Sequence, residues 1–145
     1  MPSKKYSTSD IIMVKVPGGE KVPDYLVKIL KVYDIPAACI TGIGGFKKAK
    51  IGFYKPTLKE YDIEEVEAEP GYILEVLSLK GNTVRGPDGQ QYPHLHVVLA
   101  KHGGETIGGH LVEAEVEPFL ELMLVVVQGP LEPLHEMFSH RWRGL

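Results

Sequence analysis

The chain has 145 residues, with 16 Lys and Arg against 19 Asp and Glu, and a formal net charge of -3. Its length and 43% hydrophobic content fit one domain spanning residues 1–145 with a single core, and exclude a disordered or fibrous chain. The acidic balance argues against a protein held to nucleic acid mainly by phosphate contacts, and no apolar run is long enough to cross a bilayer. The lone Cys39 excludes an internal disulfide and a cysteine-based zinc site. These features point to a soluble cytoplasmic protein, and the scarcity of thermolabile Asn and Gln points to a thermophilic source.

Ile11 to Val16 reads as a strand that ends at Pro17-Gly18-Gly19. Beyond it, Val22, Tyr25, Leu26, Ile29, Leu30 and Tyr33 recur at three- and four-residue spacing. That stripe predicts one amphipathic helix over residues 20–34, stopped before Pro36. Everything later reads as strands, over residues 37–41, 46–54, 60–68, 72–79, 94–101, 106–116 and 119–127. Strands that follow one another without helices between them pair antiparallel. The expected fold class is therefore α+β, a largely antiparallel sheet covered by one main helix. Such a sheet must close on itself or associate to protect its edges, and a symmetric oligomer is expected. Gly42-Ile43-Gly44-Gly45 lacks the following helix that a dinucleotide loop requires, so these glycines are expected to permit a bulge or tight packing between subunits.

The segment from Tyr92 to Val116 is the richest in chemistry. Strand alternation places His94 and His96 on one face and Leu95 and Val97 on the other. Folding a hairpin about Gly103 sets His96 opposite His110, so that three imidazoles converge. Three His ligands without Cys match an open transition-metal site, with a fourth position left for water or substrate. The alternative is three separately satisfied polar residues. Gly108 and Gly109 imply a bulge or a close backbone approach beside His110. His102 falls in the turn, and His135 and His140 near the C-terminus are expected at the surface.

Leu77-Ser78-Leu79-Lys80-Gly81, Pro93-His94-Leu95-His96 and Ile107-Gly108-Gly109-His110-Leu111 together resemble the PPC domain, the plant and prokaryote conserved domain. The likeness runs from the first strand through Ile40 to Gly45 to the last strand. The resemblance implies a mixed fold with a largely antiparallel sheet, assembled as a homotrimer. It also implies two functional contexts: plant members carry a separate AT-hook and bind DNA, whereas prokaryotic members usually stand alone. The domain is similar in fold to acetolactate decarboxylase, whose zinc is held by an H-x-H pair and a later His. Carried over, this implies zinc on His94, His96 and His110.

Other candidates surround this core. Glu75 alternates with Ile73, Leu77 and Leu79, and is the first candidate for a catalytic acid or base. Arg85, in the loop between Gly81 and Gln91, is the candidate for binding an anionic ligand, and Glu105 is a weaker one. Lys47, Lys48 and Lys50 form the densest basic cluster, and Arg141 and Arg143 flank Trp142. The acidic run at Glu64, Glu65, Glu67 and Glu69 opposes a broad positive face. Arg85-Gly86-Pro87 lacks the second Arg of an AT-hook. The resulting expectation is a zinc-binding protein that takes a small anionic metabolite and, if an enzyme, performs metal-dependent lyase or hydrolase chemistry. The alternative is a DNA-binding regulatory module that uses the three lysines.

Overall fold

A computed structural model describes residues 2–142. In chain order its elements are β1 (Ser7–Pro17), β2 (Lys21–Val22), α1 (Asp24–Val32), β3 (Ala37–Lys55), β4 (Glu60–Glu67), β5 (Leu74–Arg85), β6 (Gln91–Ala100), β7 (Thr106–Gln128), α2 (Glu132–Met137) and the 3₁₀ turn η1 (Ser139–Arg141). The strands form one antiparallel sheet in the order β1-β7-β6-β5-β3-β4, and β3 also pairs with β7, so the sheet closes on itself. The α+β class expected from the sequence is the observed one. No helix among the described residues is long and apolar enough to cross a membrane.

The sequence pattern divides two of these strands too finely. Residues 37–41 and 46–54 belong to one 19-residue strand, β3, and residues 106–116 and 119–127 to one 23-residue strand, β7. What reads as a break between Gly42 and Gly45 is a bulge with close packing inside the chain. A Cβ on Gly45 would lie 2.2 Å from the Glu117 carbonyl oxygen of β7, so bare backbone is needed where the two long strands pass.

The helix is shorter than expected, because Lys21 and Val22 pair with Glu115 and Ala114 of β7 before the chain turns into α1. Asp34, with φ of 50°, then turns the backbone out of the helix. Leu26 and Leu30 bury the helix stripe in the same core as Leu79 of β5, Leu99 of β6 and Leu124 of β7, whereas Tyr33 is exposed.

Helix α2 falls where the sequence suggests only an irregular C-terminus. With η1 it covers the outer face of the sheet, where Leu134, Phe138 and Trp142 form a small second core against Ala37, Val84 and Val127. Arg143 lies outside the described residues. Edge strand β4 is guarded by charge. Lys55 pairs with Glu60 at 3.1 Å and with Asp62 at 3.0 Å, and the remaining carboxylates of the strand discourage pairing with another chain.

Leu99 is fully buried beneath the strand that carries His94 and His96. Leu99→Ala is expected to destabilise the fold by about 2–5 kcal/mol, read as a lower urea midpoint at unchanged slope.

Candidate metal centre

Strand β6 alternates strictly through this region. Leu95, Val97 and Leu99 point into the core, so His94 and His96 share the outer face. The tight turn after Lys101 sets the β6–β7 register, which places His96 directly opposite His110. The three rings lie 5.1 Å (His94–His96), 5.2 Å (His94–His110) and 5.7 Å (His96–His110) apart between centroids. One ring nitrogen from each lies within 4.8 Å of the other two, a spacing that lets one ion reach all three.

Two strands hold this arrangement from the sides. On β5, Gly81 faces Leu95, and a Cβ there would stand 1.8 Å from the His94 carbonyl oxygen; the glycine lets the strands meet beneath the site. On β3, Gly52 faces His110, which leaves room for Tyr61 of β4 to stack on the His110 ring at 4.8 Å. Gly109 is likewise pressed against β3, where an added Cβ would meet Ile51 at 2.7 Å. Neither glycine nor Tyr61 needs a metal for its packing, but together they fix the position of His110.

Burial and charge both favour neutral imidazoles. His94 is pushed down to about 4, first by burial and then by the positive charge of Arg141 and the neighbouring histidines. His110 is lowered by burial and then by His96. Neutral rings are the form that ligates a metal. His110 Nδ1 is buried without a hydrogen-bond partner, an unfavourable state that coordination through this nitrogen would relieve. An all-imidazole donor set suits zinc and its neighbours among the divalent transition metals. The residues present therefore fit such an ion.

The remaining candidates separate from this cluster. Glu75 pairs with Ala100, four residues along β6 from His96, or about 13 Å at ordinary strand rise. A bulge at Leu77 breaks the expected alternation, leaving Leu77 exposed and turning Leu79 into the core. Glu75 instead lines a cavity of about 950 Å³ with Glu69, His102 and Glu117. Arg85 ends β5, rather than lying in a loop, and its guanidinium pairs with Asp34 at 2.6 Å. Glu105 is exposed in the β6–β7 turn. Lys47 and Lys50 face Glu115 and Glu65, each at 4.0 Å.

The sequence names His135, His140 and Arg141 but gives no sign that the C-terminal segment folds back against the sheet near the site. His135 donates from Nε2 to the Arg85 carbonyl at 2.7 Å and so fixes α2 to the sheet. Arg141 donates to the Tyr92 carbonyl at 3.2 Å and to Asn82, the cross-strand partner of His94. His140, although exposed, is close enough to His94 for its charge to be felt there. The signal for this segment was Pro133 within the first turn of a helix, followed by Leu134, Phe138 and Trp142.

Comparison with known proteins places these features in a wider group. The family profile of the Plants and Prokaryotes Conserved (PCC) domain matches residues 3–128. A plant- and prokaryote-conserved protein of Pyrococcus horikoshii is 34% identical, with a TM-score of 0.81 over 90% of this chain and 87% of that one. A metal-containing protein of Archaeoglobus fulgidus is 31% identical, with a TM-score of 0.81 over 90% of this chain and 89% of its own. A Bacteroides thetaiotaomicron protein, provisionally designated DNA-binding, shares the fold at 23% identity and a TM-score of 0.73, over 83% of each chain. Acetolactate decarboxylase of Bacillus subtilis shares the fold at 17% identity and a TM-score of 0.53, over 86% of this chain but 54% of the decarboxylase. No curated protein matches the sequence.

Because the His94 imidazole is held below its ordinary value of 6.5, the metal-free fold binds fewer protons than the unfolded chain between pH 6.5 and about 4. Stability is therefore complete above pH 6.5 and falls as pH is lowered through that window. Urea midpoints measured across it should decline in the wild type and decline less in His94→Gln.

Proposed function

The chain belongs to the Plants and Prokaryotes Conserved domain family, and from that footing we propose that it is a metal-binding protein holding one zinc-like ion through His94, His96 and His110. The observation that carries this reading is the convergence of three ring nitrogens within 4.8 Å on the outer face of the closed sheet. The metal-containing relative from Archaeoglobus fulgidus, 31% identical, supports it. Three protein ligands leave a coordination position open to a small anionic metabolite.

When bound, such an ion acts as a Lewis acid that polarises an oxygen of its ligand, which opens lyase or hydrolase chemistry. The histidines supply the binding site, and Tyr61 and Gly81 hold two of them in place. Glu75, on β5 opposite Ala100, stands too far from the imidazoles to share a proton with a ligand between them, so in this reading its carboxylate serves the separate cavity.

The family resemblance supports a homotrimer, and a single cysteine fits the reducing cytoplasm. Exposed Met13, Ile43, Leu77 and Met123 on the outer face supply apolar surface for association. The alternative, a DNA-binding module through Lys47, Lys48 and Lys50, requires phosphates to compete with Glu115 and Glu65 for two of the three lysines.

Elemental analysis of untagged protein, purified without a metal-affinity resin, should find about one zinc or similar transition ion per chain. His96→Ala should lose that ion while keeping its circular dichroism spectrum. Stoichiometric metal retained in the variant, or none taken up by wild type incubated with zinc, would refute the assignment.

A further inference from the structure

Two cationic side chains stand beside the three histidines. Arg141 donates hydrogen bonds to the Tyr92 carbonyl and to Asn82, the cross-strand partner of His94. Lys80, exposed on the same face, is the cross-strand partner of His96. A divalent ion added to neutral imidazoles raises the positive charge further, and an anion is the ligand that balances it.

Arg141 is placed to receive that anion. Helix α2 and turn η1 fold back over the outer face and set the guanidinium against β5 and β6 beside His94. Its hydrogen bonds to Asn82 and to the Tyr92 carbonyl use one N–H on each terminal nitrogen and leave a second N–H on each, while Nε is buried without a partner. The ring of Phe138 lies beneath the guanidinium at 4.6 Å and fixes its plane. This is a preorganised fork, the geometry that recognises a carboxylate. Arg85 already pairs with a carboxylate, that of Asp34, which balances its charge.

Building on the three-histidine metal reading, we propose that Arg141 is the anion-recognising residue of that site, and that its ligand is a small carboxylate with one end at the metal and the other at the guanidinium. The C-terminal segment is thereby part of the binding site as well as a cover for the sheet.

Cobalt(II) substitution tests this in the full chain, because visible absorption reports both metal occupancy and ligand exchange, and glycolate is the probe. In the wild type, glycolate should shift the cobalt bands saturably. In Arg141→Met, cobalt should still bind at the wild-type ratio and the thermal melt should stay close to wild type, but half-saturation should need at least about tenfold more glycolate. If Arg141→Met does not fold, Arg141→Lys carries the test: it keeps the charge and the stem, loses the fork, and should also weaken glycolate at unchanged cobalt content. Equal glycolate binding in wild type and variants overturns the role of Arg141. A cobalt-loaded wild type that ignores glycolate overturns the carboxylate ligand while leaving the metal site standing. Failure of the wild type to bind cobalt overturns the metal reading, and this inference with it.

Discussion

Pairing of β3 with β7 along most of their lengths is the constraint to which the rest of the molecule is fitted. Its register runs from Ala38 opposite Val126 to Gly52 opposite His110, and it turns an open sheet into a closed one. Bulges along that register let two long strands bend around the main core. The partners are far apart in sequence, so the seam forms only after a long loop has closed, and folding is expected to be slow for a chain of this size. Once formed, it brings β4 and its Tyr61 to His110, and it gives the outer face on which α2 packs.

The site inherits its chemistry from that placement. The histidines stand outside the core, yet His94 and His110 are half-buried by their neighbours, enough to keep them unprotonated near neutral pH. Neutral rings crowded together among cations, with one nitrogen left unpaired in the interior, make an arrangement that an ion completes.

Much of this was legible in the chain itself. Strand alternation and a glycine-rich turn are local rules, and they were sufficient to bring His94, His96 and His110 to one face and to set His96 against His110. The family signature extended them to the fold. What local rules could not give was anything that depends on long-range register. A bulge at Leu77 moved Leu79 to the interior, Arg85 found Asp34 across the end of the sheet, and the β3 and β7 strands ran through the glycines and the proline that looked like their ends. Arg141 was visible as a residue, but its nearness to His94 follows from where α2 docks, which only the second small core determines.

Strand β6 answers to two environments at alternate positions. Leu95, Val97 and Leu99 fill the interior, while His94 and His96 face outward over the same few residues of backbone. Interior and exterior are separated by a single peptide plane, and hydrogen bonds to β5 and β7 hold that plane in place on both sides. The inward side chains can therefore be exchanged for others of similar volume without moving an imidazole, and the outward ones replaced without opening a void. A fold of this kind can keep its architecture while changing what it binds, because packing and recognition are written on opposite sides of one ribbon.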